Sequence, residues 1–369
     1  MDKVSEIKHF KKLTFNQLRK KVQLIRDQLP DEQKKVITYS KNFTLSLSNY
    51  CVNQCGYCFY HYTIPKSNGE ANVILLSKDH INAFIQQALQ FDCKEALIMS
   101  GERPENFPEV KNELNKLKYP NFIDFVKNIC SNLLKLRILP HINIGYLTYD
   151  EMKELKNYSA SMGLMLESTS MDLFKKGKVH EYSNGKLPLK RIEHIDNAGK
   201  LKIPFTTGLL LGIGETIDDI INDLNLIKAI NLKYGHIQEV IIQNFVKKEG
   251  ISYQPKKPIS IKEMLKITGI ARIIFGNDIA IQVPPNLISG FEKEFIEMGI
   301  DDFGGISPFS LDYINPENKW PQIDKLYNFC KDNGFYLRER LPIYDRFIRK
   351  EGFCSESIKE VVDNINLDD

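Results

Sequence analysis

Short apolar runs alternate with longer amphipathic stretches through most of this chain. The apolar runs, at residues 43–47, 96–99, 141–145, 162–166, 205–211, 239–243, 279–283 and 302–304, have the length and the branched, aromatic composition of strands. Between them, apolar positions recur at helical spacing over 78–91, 122–134, 149–156, 187–198, 217–230 and 261–274. Strand-length runs separated by amphipathic helices predict parallel strands joined by crossovers. Eight such strands predict an α/β fold closed as a (β/α)8 barrel, the run at 302–304 being the weakest of the set. The division that follows is a helical leader at 1–38, a barrel domain at 39–345 and an acidic tail at 346–369.

In such a barrel, chemistry collects in the loops that leave the C-terminal ends of the strands. Each apolar run here ends in, or carries, a residue of chemical use. The first leads into a cysteine loop, the second into Ser100-Gly101-Glu102-Arg103, and the third carries Asn143. The fourth ends in Glu167-Ser168-Thr169, the fifth in Gly212-Ile213-Gly214-Glu215, and the sixth in Gln243-Asn244. The seventh contains Gln282 and leads to Pro284-Pro285-Asn286. Any single ending could be a helix cap or a turn; together they predict one rim on which Asn143, Gly212 and Gln243 stand among cofactor contacts. Gln243, Asn244, Gln282, Asn286 and Asp302 are substrate-contact candidates by location, with Tyr60 and His61 beside the cysteine loop.

The cysteine loop reads C-x-x-x-C-x-x-C at Cys51, Cys55 and Cys58, followed by Phe59. Three thiolates this close can hold three corners of one cubane iron-sulfur cluster and leave the fourth iron open to a small molecule. His61 completes an alternative set for structural zinc, although zinc modules usually bring their ligands as two separated pairs. Cys93, Cys130, Cys330 and Cys354 are single and scattered. Seven unpaired cysteines suit a reducing compartment, hence a cytoplasmic location.

Composition narrows the class without naming a substrate. The chain has 369 residues, 42% hydrophobic and 26% charged, with a formal net charge of +3. That balance argues for a globular protein and gives no sign of a nucleic-acid partner. The leader lacks an unbroken apolar core like that of a signal peptide, and no apolar run is long enough to cross a bilayer. The local basic concentrations at 19–26 and 247–257 read as solvated faces.

Several stretches taken together resemble one family. They are the cysteine loop, Ser100-Gly101-Glu102-Arg103-Pro104-Glu105, the segments 160–167, 208–215 and 235–240, Gln282-Val283-Pro284-Pro285-Asn286-Leu287, Gly304-Gly305-Ile306-Ser307-Pro308 and Leu337-Arg338-Glu339-Arg340-Leu341-Pro342. Over about 39–344 the chain is similar to the 7,8-didemethyl-8-hydroxy-5-deazariboflavin synthases, the FO synthase small subunit (CofG) family of radical S-adenosylmethionine (radical SAM) enzymes. The resemblance implies a TIM-like radical SAM barrel with one 4Fe-4S cluster on Cys51, Cys55 and Cys58 and with SAM as the second cofactor. It implies a lyase and cyclase reaction in coenzyme F(420) biosynthesis: SAM is cleaved to methionine and 5'-deoxyadenosine, and a hydroxybenzyl-ribityl dihydrouracil closes to the deazaflavin with loss of ammonia. A partner radical SAM subunit would supply that substrate, and an electron donor would reduce the cluster. Carried over by residue, Gly101 and Glu102 receive the SAM amino group, Glu167 the ribose hydroxyls and Arg191 the carboxylate, while Gly212 lies in the motif that supports the adenine. Ser100 stands where the superfamily more often has glycine. The rivals are the partner enzyme that attaches the hydroxybenzyl group and, from another class, a zinc-containing barrel without redox chemistry.

Overall fold

A computed structural model describes residues 3–64, 72–365 and 367; the first two residues of the leader and residues 366, 368 and 369 of the tail lie outside the described residues. Eight parallel strands close on themselves: β1 (Val36–Ser46), β2 (Glu95–Met99), β3 (Leu139–Asn143), β4 (Ser161–Gly163), β5 (Phe205–Leu211), β6 (Ile237–Asn244), β7 (Ala280–Gln282) and β8 (Asp302–Ile306). Each pairs with the next in sequence, and β1 pairs with both β8 and β2. The expected helices are present as Lys78–Gln90, Phe122–Lys135, Tyr149–Leu155, Pro188–Lys200, Ile217–Tyr234 and Ile261–Phe275. Five of the six starts carry side-chain caps, at Ser77, Asn121, Thr148, Thr216 and Ser260, the last three forming full capping boxes, and the helix Pro188–Lys200 opens on its proline.

β1 starts at Val36, well ahead of the expected run at 43–47 and inside the expected leader, and β3 is shifted to Leu139–Asn143; three further departures stand out. β4 stops at Gly163 although the apolar run continues to Leu166. The Thr207 hydroxyl intervenes there, donating to the Leu164 carbonyl at 2.9 Å and accepting the Leu166 N–H at 3.2 Å. The eighth strand runs past the expected 302–304 to Ile306, taking in Gly305 after Gly304. A Cβ at either glycine would sit 2.0 Å from the side-chain amide of Gln282 or of Asn42, so the two bare positions make room for amides inside the barrel. A ninth strand, β9 (Tyr336–Glu339), was not expected; it pairs in parallel with the N-terminal end of β1, outside the closed ring.

The leader and the tail both pack on the barrel. Helix Phe15–Arg26 buries Leu18, Val22 and Arg26. Arg26 reaches Asp301 at 2.5 Å, and Arg272 of the helix Ile261–Phe275 pairs with the same carboxylate just ahead of β8. After residue 345, Phe347, Phe353 and Ile358 join a cluster with Leu139, Ala160, Leu341 and Ile343, so apolar residues set among acids anchor the expected tail. The main core fills the space between strands and helices, and a smaller cluster of Cys55, Tyr57, Leu173, Val179, Ile213, Phe245 and Ile251 surrounds the cysteine loop. Among the described residues no helix is long and apolar enough to cross a membrane.

Candidate active site

The loop leaving β1 carries Cys51, Cys55 and Cys58, all free thiols. Its backbone is tied on three sides. Val52 N–H donates to the Glu102 carbonyl at 3.0 Å, Gln54 and Gly56 donate to the Tyr182 and Val179 carbonyls at 3.1 and 2.8 Å, and Tyr253 donates back to Gly56 at 2.8 Å. Gly101 is what allows the loop after β2 to press against this one: a Cβ there would lie 2.1 Å from the Tyr50 carbonyl oxygen and 2.8 Å from the Cys51 Cβ. The N–H groups of Asn53 and Glu102 point at Cys51 Sγ, at 3.4 and 3.2 Å. Such donors favour a sulfur that carries negative charge, as a metal-bound thiolate does. Without a bound metal, burial pushes the Cys51 thiol up to about 11 and Cys58 up to about 12.

His61 does not complete a zinc set. Its Nδ1 is 2.7 Å from the Thr63 hydroxyl and its Nε2 is 3.2 Å from the Cys51 carbonyl, so both ring nitrogens are engaged away from the thiols. Three thiols on one loop, with the His61 ring engaged elsewhere, match the corners of a cubane better than a single tetrahedral ion.

A cavity of about 340 Å³ opens beside the thiols. Its wall holds Gly101, Glu102, Asn143, Glu167, Arg191 and Gln243, six of the seven expected cofactor contacts. Gly212 stands outside it. The turn at Gly212 is closed on itself by Glu215, whose carboxylate accepts the Gly212 and Ile213 N–H groups at 2.7 and 2.9 Å, and Leu210 faces the cavity instead. Arg191 is buried, donating to the Gly185 carbonyl at 3.0 Å and reaching Glu102 at 3.4 Å. Glu167, at the end of the apolar run that begins with β4, adopts a left-handed backbone, φ 63°, and bridges to Leu209 of β5. Its carboxylate accepts from Lys186 and from the Tyr57 hydroxyl, with His180 Nε2 at 3.4 Å. Burial alone would raise its pKa, but the Lys186 ammonium, with His180 and Arg191, outweighs this and holds the group well below the usual carboxylate range.

Sequence reasoning missed Tyr57, His180, Lys186 and Lys248. The first three belong to segments with no periodic pattern. Lys248, expected on a solvated face, is buried in the cavity wall with its ammonium 2.8 Å from Asn315 Oδ1. Two buried polar atoms of wall residues, Asn53 Nδ2 and Asn244 Oδ1, have no partner among the described residues. They are groups that a bound cofactor would satisfy.

A second, deeper cavity of about 180 Å³ lies inside the barrel and shares Leu97, Met99, Asn143, Met165, Ile241 and Gln243 with the first. Of the substrate candidates, Gln243 and Gln282 line it, and Asn244 lines the outer cavity. Tyr60 is also in the outer wall, its hydroxyl donating to the Ser48 carbonyl at 2.7 Å. Asp302 is not available to a ligand: it is fully buried and held by Arg340 at 2.6 and 2.8 Å. Asn286 faces the segment above, donating to Asp312 at 3.0 Å and to the Asn318 carbonyl at 3.2 Å. Glu95, His141, Thr206, Glu239, Trp320 and Arg340, none of them anticipated, complete the inner wall.

The barrel with a thiol-bearing first loop defines the radical SAM class, and residues 45–227 match the sequence profile of the radical SAM superfamily. Solved structures agree at the level of the fold. The FeFe-hydrogenase maturase HydG from Carboxydothermus hydrogenoformans superimposes with a TM-score of 0.72 at 17% identity, over 98% of this chain and 78% of that one. Methylornithine synthase superimposes with a TM-score of 0.66 at 18% identity, over 90% and 93%. Within the class, the 7,8-didemethyl-8-hydroxy-5-deazariboflavin synthase of Methanococcus vannielii is 45% identical over 89% of this chain and 91% of its own length. The enzyme of that name from Methanocaldococcus jannaschii is 42% identical over 90% of each. The chain belongs to the 7,8-didemethyl-8-hydroxy-5-deazariboflavin synthase family.

Proposed function

We propose that this chain forms 7,8-didemethyl-8-hydroxy-5-deazariboflavin from 5-amino-5-(4-hydroxybenzyl)-6-(D-ribitylimino)-5,6-dihydrouracil, with release of ammonia. The observation that carries this reading is the family match over 89% of the chain, joined to three free thiols at the mouth of a buried two-part cavity. Cys51, Cys55 and Cys58 would hold one 4Fe-4S cluster, and the outer chamber would hold SAM. When bound, these supply a carbon-centred radical that takes a hydrogen atom from the substrate.

The chain's own residues bind, orient and enclose. Arg191 and Glu102 face each other across 3.4 Å, a long ion pair whose two charges complement the carboxylate and ammonium of an amino-acid head group. Glu167 is kept ionised by Lys186 and presents acceptor oxygens toward the same chamber. Asn53 Nδ2 and Asn244 Oδ1 offer a donor and an acceptor that are unmatched among the described residues. Leu164, Leu210 and Phe245 line the outer wall and help to keep water from the reacting atoms. A reductant must deliver an electron to the cysteine loop, and a partner radical SAM enzyme is the source of a substrate that already joins a phenol to a ribityl pyrimidine.

The test is anaerobic. Protein reconstituted with iron and sulfide, given reductant, SAM and the hydroxybenzyl-ribityl substrate, is expected to yield deazaflavin fluorescence together with 5'-deoxyadenosine. Deoxyadenosine without the fluorophore would move the substrate elsewhere in the superfamily; neither product from cluster-loaded protein would overturn the reading.

A further inference from the structure

The inner chamber is polar in an unusual place. Parallel strands are buried on both faces and normally carry apolar residues throughout, yet β2, β3, β5 and β6 turn Glu95, His141, Thr206 and Glu239 into the barrel. Some of these groups are committed to one another. Glu239 accepts from Thr206, Arg340 and Tyr344, each at 2.9 Å, and Arg340 also clamps Asp302. That network forms a fixed floor.

Other groups keep capacity for a ligand. Glu95 is buried beside Ser40 and Asn42, and among the described residues no Lys, Arg or His lies within ion-pair distance of its carboxyl. Burial pushes its pKa up. The Ser161 hydroxyl donates to the Pro342 carbonyl at 2.6 Å and so must accept from His141 Nδ1–H at 2.7 Å. Burial drives the His141 pKa down to about 3, so the ring is neutral and its Nε2 is left as an acceptor. Trp320, the single tryptophan of the chain, lines the same chamber with its indole N–H buried and without a partner among the described residues. Two acceptors and an orphaned donor around one small cavity call for a ligand with several hydroxyl and N–H groups.

On the basis of the proposed function, we infer that the inner chamber takes the ribityl-pyrimidine end of the substrate, with Glu95, His141 and Trp320 as its direct contacts, and that the phenol end lies outward at the neck. A polyol and a pyrimidine amide edge satisfy these groups, whereas a phenol, with one hydroxyl, would leave most of them dry and unpaired. The neck suits an aromatic end that carries one hydroxyl: Leu97, Met99, Met165 and Ile241 are apolar, thioethers adapt well to ring faces, and Asn143 and Gln243 beside them can pair with a single hydroxyl. This orientation puts the benzylic carbon where the two chambers meet.

Because Trp320 is the only tryptophan, its emission reports occupancy of the inner chamber directly. Reconstituted protein with SAM is titrated with 5-amino-6-(D-ribitylamino)uracil and, separately, with p-cresol. The ribityl compound is expected to change Trp320 emission saturably, p-cresol at the same concentrations is not, and Glu95→Gln is expected to weaken the ribityl compound about tenfold. Cluster content serves as the fold control for the variant. Saturable perturbation by p-cresol in place of the ribityl compound, no response to the ribityl compound, or an unchanged Kd in a cluster-loaded Glu95→Gln protein would each overturn the inference. Failure of the proposed reaction is read separately, as absence of deazaflavin from wild-type protein whose Trp320 still responds to the fragment.

Discussion

The outer chamber draws its charged groups from loops and a helix, and several of them are paired across distances or through partners that a ligand can replace. Arg191 meets Glu102 at 3.4 Å, and Lys248 is shared between Asn315 and the half-exposed Glu317. The inner chamber takes its charges from strand interiors and from Arg340, which follows β9, and locks them: Arg340 holds Asp302 and Glu239 through contacts of 2.6 to 2.9 Å, with Tyr344 stacked against the guanidinium. Arg191 and Lys248 of the outer chamber are thus held loosely, while Glu167 there is gripped by Lys186 and Tyr57; in the inner chamber Asp302 and Glu239 are held rigidly by Arg340, as the proposed substrate end requires. Preorganisation is placed where the substrate has to be aimed.

The same chemical change in the two chambers should therefore have different consequences. Arg340→Met leaves Asp302 and Glu239 buried without their cation, and a loss of about 3–5 kcal/mol in urea unfolding is expected; a loss under about 1 kcal/mol would mean that the floor is not held by this pair. Acid should find the next weakness. His141, His194 and His236 are buried and neutral, with pKa values lowered to about 3, 3 and 4, first by burial. A depressed folded-state pKa gives stability that is present above the unfolded value of 6.5 and is lost as the pH falls toward the folded value. Each histidine should cost about 1.4 kcal/mol at one pH unit below 6.5. His141→Gln should flatten that slope in equilibrium unfolding between neutral pH and pH 5; an unchanged slope would place the proton uptake elsewhere. The smallest effect is expected in the outer chamber, where Lys248→Met strands no deeply buried carboxylate. Its stability should stay within about 1 kcal/mol of wild type, and a larger loss would show the outer wall to be as rigid as the inner one.

The two chambers also differ in how they were written into the chain. The outer one was legible because its key groups are neighbours in sequence: Cys51, Cys55 and Cys58 in one loop, Gly101 beside Glu102 at the end of β2. The barrel itself was legible from its alternating periods, and β5 runs from Phe205 to Leu211, as its β-branched and apolar composition predicts. The inner chamber is assembled from residues scattered between Asn42 and Pro342, and no local spacing marks them. The available signal was a polar residue inside an otherwise apolar strand, as with His141 and Glu239; in a parallel barrel such a residue has only the interior to face. Lys186 and His180 carried no such mark, because the segment between β4 and the helix Pro188–Lys200 has no period to violate. Gly212 was misplaced relative to the cavity because its turn is completed by its own Glu215.

The central claim is that the first loop holds a redox cluster that the outer chamber presents to SAM. Electron paramagnetic resonance of the reduced, reconstituted protein, with and without SAM and with iron and acid-labile sulfide counted in the same sample, tests it most directly. The account predicts one cluster per chain, a signal that shifts when SAM is added, and the loss of both in a Cys51→Ala, Cys55→Ala, Cys58→Ala triple variant. Zinc without sulfide, or a cluster signal indifferent to SAM, would contradict it.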